Sequence, residues 1–403
     1  MSKIRLKKSI TSILLVVIIS AVLIGCNSSI EQKQLTTKEK LEDFEYMYNI
    51  IKEEYPFLGV NKRVFNVDWL DNKEDYIKRI KDTENDIEFI REINKILSEL
   101  NNNHTNIISS LEQYKMFKEV YGELGWYDFW EVEEVISRYE NIEDCQLPSK
   151  SISTENYILE DIIEGQIGYI YIPEMMPRRG NIQEDIEEIT EYIKTLKGHK
   201  GIIIDIRGNT GGADRYWQEI ISRIIPKDYK NSGYILFRSG DITDKYIESR
   251  EVDTKSIEEL PKSIIDNGPE EIVNDFSSFT NSDYILYRNN SIEFNGKIFL
   301  LVDESVYSAS ETFAMVCKEN ELATLIGETT GGVGCGYDPL LFNLSNSGLI
   351  VRMASNMYLT GSGLCNEEFK TTPDYFIEDV DRTKDFEDDK CIQKAIELMG
   401  GLD

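Results

Sequence analysis

Ser308 is the residue whose position best suits nucleophilic chemistry. It follows the apolar run 298–302, which predicts a buried strand, and it precedes a predicted helix over 309–320. A serine attacks a carbonyl when its hydroxyl lies at a sharp boundary between elements and backbone amides face the developing oxyanion. The first amides of a helix are free for this role. A serine at a helix start is most often a cap, however, and Ser310 is open to that interpretation too.

A glycine turn after the apolar run 201–206 would complete such a site. Gly211 and Gly212 allow a backbone amide to approach a reacting carbonyl, because no side chain is in the way. Together with the amide of Ala309, we expect this turn to form an oxyanion hole. The glycines also suit a simple tight turn, and the two interpretations are compatible. We expect the Asp205 and Arg207 side chains to form a buried pair that holds the turn.

Three motifs, in this order along the chain, resemble the tail-specific protease family of serine peptidases. The signature strand and glycine turn match at 205–212, the nucleophile region matches at 308–311 and 327–331, and the closing motif matches at Pro373 and Asp374. The resemblance extends over roughly residues 40 to 400, with the motifs concentrated after Gln166. It implies a serine endopeptidase that hydrolyses polypeptides without a cofactor or metal. It also implies an α/β fold with a crotonase- or ClpP-like ββα core, preceded by a small helical N-terminal domain.

The sequence departs from the best-known branch of that family, which uses a Ser/Lys dyad. Val333 occupies the position in the glycine turn where the dyad lysine is expected. Lys318 lies on the predicted nucleophile helix, outside the motif. The missing lysine indicates that a different residue acts as the general base. It also indicates a resemblance to a different branch of the family.

The branch that contains the tricorn core protease and the interphotoreceptor retinoid-binding protein modules has a histidine before the signature strand. His104 matches that position, and the other histidine, His199, is predicted to lie in a surface loop, so His104 is the candidate base. A glutamate before the Pro-Asp motif orients the histidine in this branch. Glu367 matches best, and its neighbour Glu368 remains an alternative. Some members have a serine immediately before the histidine, where this chain has Asn103.

Helices and parallel strands are predicted to position these residues. Thr36 and Glu39 have capping-box spacing before a helix that ends at Pro56, and a second helix from Asn85 ends at 101–103, just before His104. A strand over 166–172, a helix over 182–196 and a strand over 201–206 predict a right-handed crossover. Further predictions are a helix after the glycine turn and strands at 323–326, 340–344 and 349–354.

Two segments define the predicted domain organisation. Residues from about 227 to 295 are charged and weakly periodic, and we interpret them as an insertion on the surface of a catalytic domain over 151–403. A helical N-terminal domain is assigned to 37–150. About 60 residues separate His104 from Gln166, which is too few for the PDZ domain that processing proteases carry.

The N-terminus predicts export and attachment to a membrane. Four cations precede the apolar stretch 10–24, which is typical of a signal peptide over 1–25 and is short for a membrane span. The sequence ending at Cys26 resembles a bacterial lipobox, which implies a lipidated Cys26 followed by a polar tether over 26–36. We therefore expect an extracytoplasmic protein that is lipid-anchored to the bacterial cell membrane.

Charge and cysteine content narrow the possible partners. The formal net charge of −29 makes nucleic acid and anionic lipid surfaces poor partners. The cysteine spacing contains no CxxC pair, so a zinc site is not expected; free thiols are the default, although a disulfide among Cys335, Cys365 and Cys391 is conceivable.

Two functions remain open at this point. The first is peptide hydrolysis by Ser308 with His104 and Glu367. The second is a catalytically weak or inactive member of the family that binds a peptide or a small ligand as a lipoprotein, because the dyad lysine is missing. An ordinary α/β-hydrolase is not favoured, since the residues around Ser308 lack the G-x-S-x-G elbow.

Overall fold

The computed structural model describes residues 34–401 apart from 143–155, 178, 290, 291, 293 and 384. The predicted signal peptide and Cys26 lie outside the described residues, and so does most of the predicted tether. No helix within the described part of the chain is both long and apolar enough to cross a membrane.

The N-terminal part consists mostly of helices, and both predicted helix caps are confirmed. The Thr36 hydroxyl accepts from the N–H of Glu39 at 3.2 Å, while the Glu39 carboxylate accepts from the N–H of Thr36 at 2.7 Å. The Asn85 side chain accepts from the N–H of Glu88 at 2.9 Å. The elements of this part are α1 Thr37–Glu54, α2 Leu58–Phe65, α3 Lys73–Lys81, α4 Asp86–Ser98, β1 Asn106–Ile107, α5 Leu111–Glu123 and α6 Glu133–Glu140.

Strands and helices alternate through the rest of the chain. The first group is β2 Ile158–Ile163, β3 Ile167–Tyr171, α7 Ile182–Thr195, β4 Gly201–Asp205 and α8 Asp214–Ile221. The second group is β5 Tyr229–Asn231, β6 Gly233–Phe237, α9 Asp241–Ser249, β7 Lys255–Ser256, α10 Lys262–Asn267, α11 Ile272–Asp275, β8 Ser278–Asn281 and β9 Tyr284–Leu286. The last group is β10 Lys297–Val302, α12 Ala309–Glu319, β11 Thr324–Gly327, β12 Leu340–Asn343, β13 Ile350–Met353, β14 Met357–Thr360, α13 Asn366–Phe369, β15 Tyr375–Phe376 and α14 Lys390–Leu398.

A six-stranded sheet in the order β15-β11-β10-β4-β3-β2 forms the centre of the fold. All of its pairs are parallel except β2 with β3, and Asp205 at the end of β4 lies opposite Leu301 near the end of β10. The strands β3, β4 and β10 are apolar because helices and the C-terminal segment cover both faces. Parallel strands end at the same edge of a sheet, so the glycine turn after β4 and the loop to Ser308 after β10 lie side by side.

The structure of residues 227–295 differs from the surface insertion that we predicted from the sequence. They supply β6, β7 and β8 to a four-stranded antiparallel sheet that β14 completes, and Leu236, Phe237 and Phe279 belong to the main hydrophobic core. The interpretation of this segment as an excursion outside the core is therefore wrong. Within it, β6 pairs with Met357–Thr360, more than a hundred residues away along the chain, so local periodicity does not reveal the sheet.

The N-terminal helices share the main hydrophobic core with the sheets. One strand pair makes the link close to the site: β1 pairs antiparallel with β13, with Asn106 opposite Arg352. The pairing fixes the segment that contains His104 against residues nearly 250 positions later in the chain.

Candidate active site

The backbone of Ser308 is strained. Its φ of 59° and ψ of −124° lie in a region that side chains with a Cβ rarely adopt, and the residue directly precedes α12. The N–H of Ser308 donates to the Gly332 carbonyl at 3.3 Å, and the Ser308 carbonyl accepts from the N–H of Thr312 at 2.9 Å. The hydroxyl has no hydrogen-bond partner among the described residues, so it is free to face a substrate.

The glycine turn touches the nucleophile candidate directly. A Cβ on Gly211, whose φ is 110°, would lie 2.8 Å from Ser308 Cβ and 3.2 Å from the Ala309 nitrogen. Only glycine therefore permits this approach. The N–H of Gly211 donates to Asn209 Oδ1 at 2.9 Å, however, so it is not free to bind an oxyanion. This corrects the expected oxyanion hole: the amides of Ala309 and Gly212, which have no acceptor in the described structure, are the two that remain.

Asn209 braces the turn against the nucleophile helix. Its side chain is fully buried, donates to the Ile172 carbonyl at 2.9 Å, and accepts from the Ser310 hydroxyl at 2.6 Å. Ser310 is thus occupied in holding the turn and is not an alternative nucleophile. Asn209 lies within a recognised motif but had no predicted role, because a buried asparagine and a loop asparagine have the same local pattern.

His104 and Ser308 line one cavity of about 840 Å³. The backbone N–H of His104 donates to Asn102 Oδ1 at 3.0 Å, and the imidazole packs edge-on against Tyr307 with ring centroids 5.1 Å apart. Burial, and secondarily the charge of Arg352, hold the pKa of His104 well below its usual range. The ring is therefore neutral at neutral pH, as a general base must be. No hydrogen bond joins this imidazole to the Ser308 hydroxyl within the described residues.

Glu367 reaches the histidine segment through Asn102. The Glu367 side chain is almost fully buried, at 7% exposed, and its Oε1 accepts from Asn102 Nδ2 at 2.8 Å. Burial raises the pKa of this carboxyl to about 8. The direct contact with the imidazole that the resemblance implies is absent from the described structure. Asn102 stands between the two groups, and its role was not predicted because it lies within a run of three asparagines.

Glu368 has a different environment from Glu367. Its carboxylate accepts from Arg63 Nη2 at 2.7 Å and from Arg63 Nε at 2.9 Å, and it does not line the cavity. Of the two glutamates that the sequence left open, only Glu367 lines the cavity with His104 and Ser308.

Among the described residues that line the cavity there is no lysine that a dyad mechanism could use. Val333 lines the cavity at the expected position, with a φ of 52° that is unusual for a β-branched residue. The Lys318 ammonium is hydrogen-bonded to Asp374 of the closing motif and does not line the cavity.

The structure also describes two other groups of residues. His199 lies in a loop between exposed neighbours, as expected, but its side chain is only 8% exposed and its Nε2 lies 3.0 Å from Asp161 Oδ2. This contact fastens His199 to β2, away from Ser308. Cys335, Cys365 and Cys391 are free thiols, which confirms the default prediction over the conceivable disulfide.

The comparisons with known proteins agree with this architecture. Residues 166–377 match the model of peptidase family S41. A crystal structure of a putative peptidase from Parabacteroides merdae is similar over 89% of this chain and 96% of that chain, with 23% identity and a TM-score of 0.58. The structure of mature CPAF complexed with lactacystin is similar over 84% of this chain and 93% of that chain, with 12% identity and a TM-score of 0.54. No curated protein sequence matches the chain.

Proposed function

This chain belongs to peptidase family S41, which confirms the resemblance and the α/β fold it implied, and we propose that it is an active serine endopeptidase of extracytoplasmic proteins or peptides. One observation carries the proposal. Ser308, held in a strained conformation at the start of α12, opens into the same cavity as a neutral imidazole and two free amides. Strain of this kind persists where the surrounding structure enforces it, as at catalytic nucleophiles.

Each residue has a role in the proposed reaction. Ser308 Oγ attacks the substrate carbonyl while His104 accepts the hydroxyl proton, and the amides of Ala309 and Gly212 bind the oxyanion of the tetrahedral intermediate. His104 then gives the proton to the leaving amine, which departs and leaves an acyl ester on Ser308. Water hydrolyses the ester with His104 again as base. The hydrogen bond between His104 and Ser308 forms when substrate closes the site, as is common in enzymes whose free form is looser.

Glu367 acts on His104 indirectly in this mechanism. Asn102 accepts from the backbone N–H of His104 with one side-chain atom and donates to Glu367 with the other. Glu367 thereby fixes the segment that carries the base, and once it ionises, above its pKa of about 8, its negative charge favours the imidazolium that forms during the reaction.

Attachment to the membrane through Cys26 is the second part of the proposal. The lipobox resemblance and the cationic, apolar N-terminus support it. Wild-type protein should incorporate a fatty-acid analogue, and Cys26→Ala should abolish this labelling. Unlabelled wild-type protein, or labelling that persists in Cys26→Ala protein, would exclude lipidation at Cys26.

A fluorophosphonate probe tests the catalytic part. The wild-type protein should be labelled, and Ser308→Ala and His104→Ala should not be, whereas Lys318→Ala is the matched control that keeps labelling. Folded wild-type protein that resists the probe, and that cleaves no peptide pool, would favour the alternative of an inactive, ligand-binding lipoprotein.

A further inference from the structure

Arg352 lies in the wall of the candidate active site without an anionic partner. It is in β13, opposite Asn106, and lines the same cavity as His104 and Ser308. Its Nη1 donates to the Asn103 carbonyl at 3.2 Å, which attaches it to the residue before the proposed base.

Most of the hydrogen-bonding capacity of this guanidinium is unused. An arginine carries five N–H donors, and the Asn103 carbonyl is the only acceptor for Arg352 in the described part of the chain. No carboxylate of the described residues lies within ion-pair distance of it. The remaining nitrogens are not sealed from solvent either, since none is among the buried polar atoms that lack a partner. They therefore open toward the cavity.

The Asp338 carboxylate, whose charge acts on Arg352, is bound to another arginine. Asp338 also lines the cavity, but it binds Arg250 at 3.0 Å and 2.6 Å. Rings hold Arg250 in place, with Tyr246 and Trp126 centroids 3.7 Å and 3.9 Å from its guanidinium carbon. Arg250 does not line the cavity, so Arg352 is the one arginine among the described lining residues, and Asp338 is not its partner.

The other acidic side chains that line the cavity, among the described residues, make no ion pair with Arg352 either. Asp214 accepts from Trp217 Nε1 at 2.9 Å, Glu367 accepts from Asn102, and Glu304 is exposed in the loop before Ser308. An arginine cannot shed its charge at physiological pH, so partial burial costs free energy that an incoming anion would offset. In a chain with 73 acidic and 44 basic residues, an unpaired cation in the cavity is unexpected for a merely structural residue.

We propose that Arg352 binds a carboxylate of the substrate, on the leaving-group side of the scissile bond. The inference rests on the proposed peptidase function. The side follows from the contact with Asn103: His104 protonates the departing amine, so groups attached to the His104 segment face the half of the substrate that leaves. The carboxylate belongs either to an acidic side chain or to a nearby chain terminus. Both present the same planar pair of oxygens to the guanidinium fork.

Three pools of short, internally quenched peptides test this on the full-length protein. The first has Glu at a fixed position in the C-terminal half and an amidated end, the second has Gln there, and the third has Gln with a free carboxyl end. The wild-type kcat/KM should be about tenfold or more higher for the first or the third pool than for the second. Mass spectrometry should find the carboxylate in the leaving fragment, and the preferred pool identifies its source.

Substitutions link the preference to Arg352. Arg352→Gln should abolish it, and Arg352→Lys should keep part of it, because lysine retains the charge without the fork. Arg238→Gln is the matched control: Arg238 also lacks a carboxylate partner among the described residues and donates to a backbone carbonyl, that of Tyr55, at 2.9 Å, but it does not line the cavity. This control should keep the full preference.

Two results would overturn the inference. One is equal cleavage of the three pools by wild type, and the other is an unchanged preference in Arg352→Gln protein with normal circular dichroism. Binding of labelled peptides to Ser308→Ala protein separates this inference from the proposed function. If wild type hydrolyses nothing while Ser308→Ala protein binds carboxylate peptides in an Arg352-dependent way, the peptidase proposal fails and the carboxylate site stands.

Discussion

Two neighbouring regions differ in how many of their polar groups have hydrogen-bond partners. In the strand-end cluster, formed by Asp205, Arg207 and Asp389, all five N–H groups of Arg207 are bonded: three hydrogen bonds go to carboxylates at 2.6–2.9 Å, a fourth reaches Asp389 at 3.2 Å, and the fifth reaches the Val380 carbonyl. In the cavity around Ser308, by contrast, Arg352 makes one such bond, and Glu367 Oε2 has no partner among the described residues.

The difference distinguishes a structural site from a functional one. The strand-end cluster joins β4 to the C-terminal helix, because Asp389 also caps α14 through the N–H groups of Cys391 and Ile392. It holds the turn, as the sequence predicted for Asp205 and Arg207. The cavity keeps unused hydrogen-bonding groups and a strained serine, which cost stability unless a ligand or a reaction uses them.

The largest effect is expected at Ser308, where substitutions should abolish activity without lowering stability. Ser308→Ala should lower kcat/KM by about 10⁴-fold or more while leaving the melting temperature nearly unchanged. Ser308→Gly should be equally inactive but more stable by about 1 kcal/mol, because glycine relieves the strained backbone. Urea unfolding of both variants measures this, and a destabilised glycine variant would contradict the strain argument.

At the strand-end cluster we expect a substitution to lower stability strongly. Arg207→Met leaves two buried carboxylates without their partner and should lower the free energy of unfolding by about 3–5 kcal/mol. Arg352→Met is the matched comparison and should cost under about 1 kcal/mol, since it removes one hydrogen bond. Equal losses in denaturant unfolding would remove the distinction between the two arginines.

Glu367 should make both activity and stability depend on pH. Its pKa of about 8 in the folded protein lies above its ordinary value, so the unfolded chain ionises first. Stability due to this group is therefore full at low pH. It falls by roughly 1.4 kcal/mol per pH unit between the two pKa values and levels off above the folded one. Glu367→Gln removes this dependence and should be more stable than wild type at alkaline pH, which denaturant unfolding across the pH range measures.

Ionisation of the Glu367 carboxyl should also affect kcat/KM. The wild-type kcat/KM should rise as pH passes about 8, because the proposed role requires the carboxylate. Burial and the charge of Glu311 raise this pKa, whereas the Asn102 hydrogen bond and the charge of Lys370 lower it. Glu367→Gln should lack the rise, and a pH profile identical to wild type would exclude Glu367 as its origin.

The smallest effect is expected at Lys318. Its pair with Asp374 is about one-third exposed on each side, and such pairs contribute about 0.2–1 kcal/mol. Lys318→Ala should therefore change the unfolding midpoint slightly and leave kcat/KM unchanged. A large loss of activity would reinstate lysine as a candidate base.

The local sequence pattern was sufficient to predict the strands and the helix next to the candidate active site. The predicted strands 166–172, 201–206 and 298–302 and the predicted helix 309–320 agree with β3, β4, β10 and α12 to within a residue or two at each end. These elements have continuous apolar runs or clear helical periodicity, and their burial depends on near neighbours in the chain. The sheet formed by 227–295 was missed because its strands are short and β6 pairs with β14, which lies far along the chain.

The sequence by itself determined the family, the candidate nucleophile and the absence of lysine at Val333, because those follow from residue types at fixed spacing. Only the tertiary structure decided which glycine amide is free, that Asn102 stands between Glu367 and the histidine segment, and that Arg352 faces the cavity unpaired. The physical reason is that a hydrogen bond depends on distances of a few tenths of an ångström between segments far apart in the chain. Residue type and spacing constrain which groups can meet, whereas packing determines which of them do.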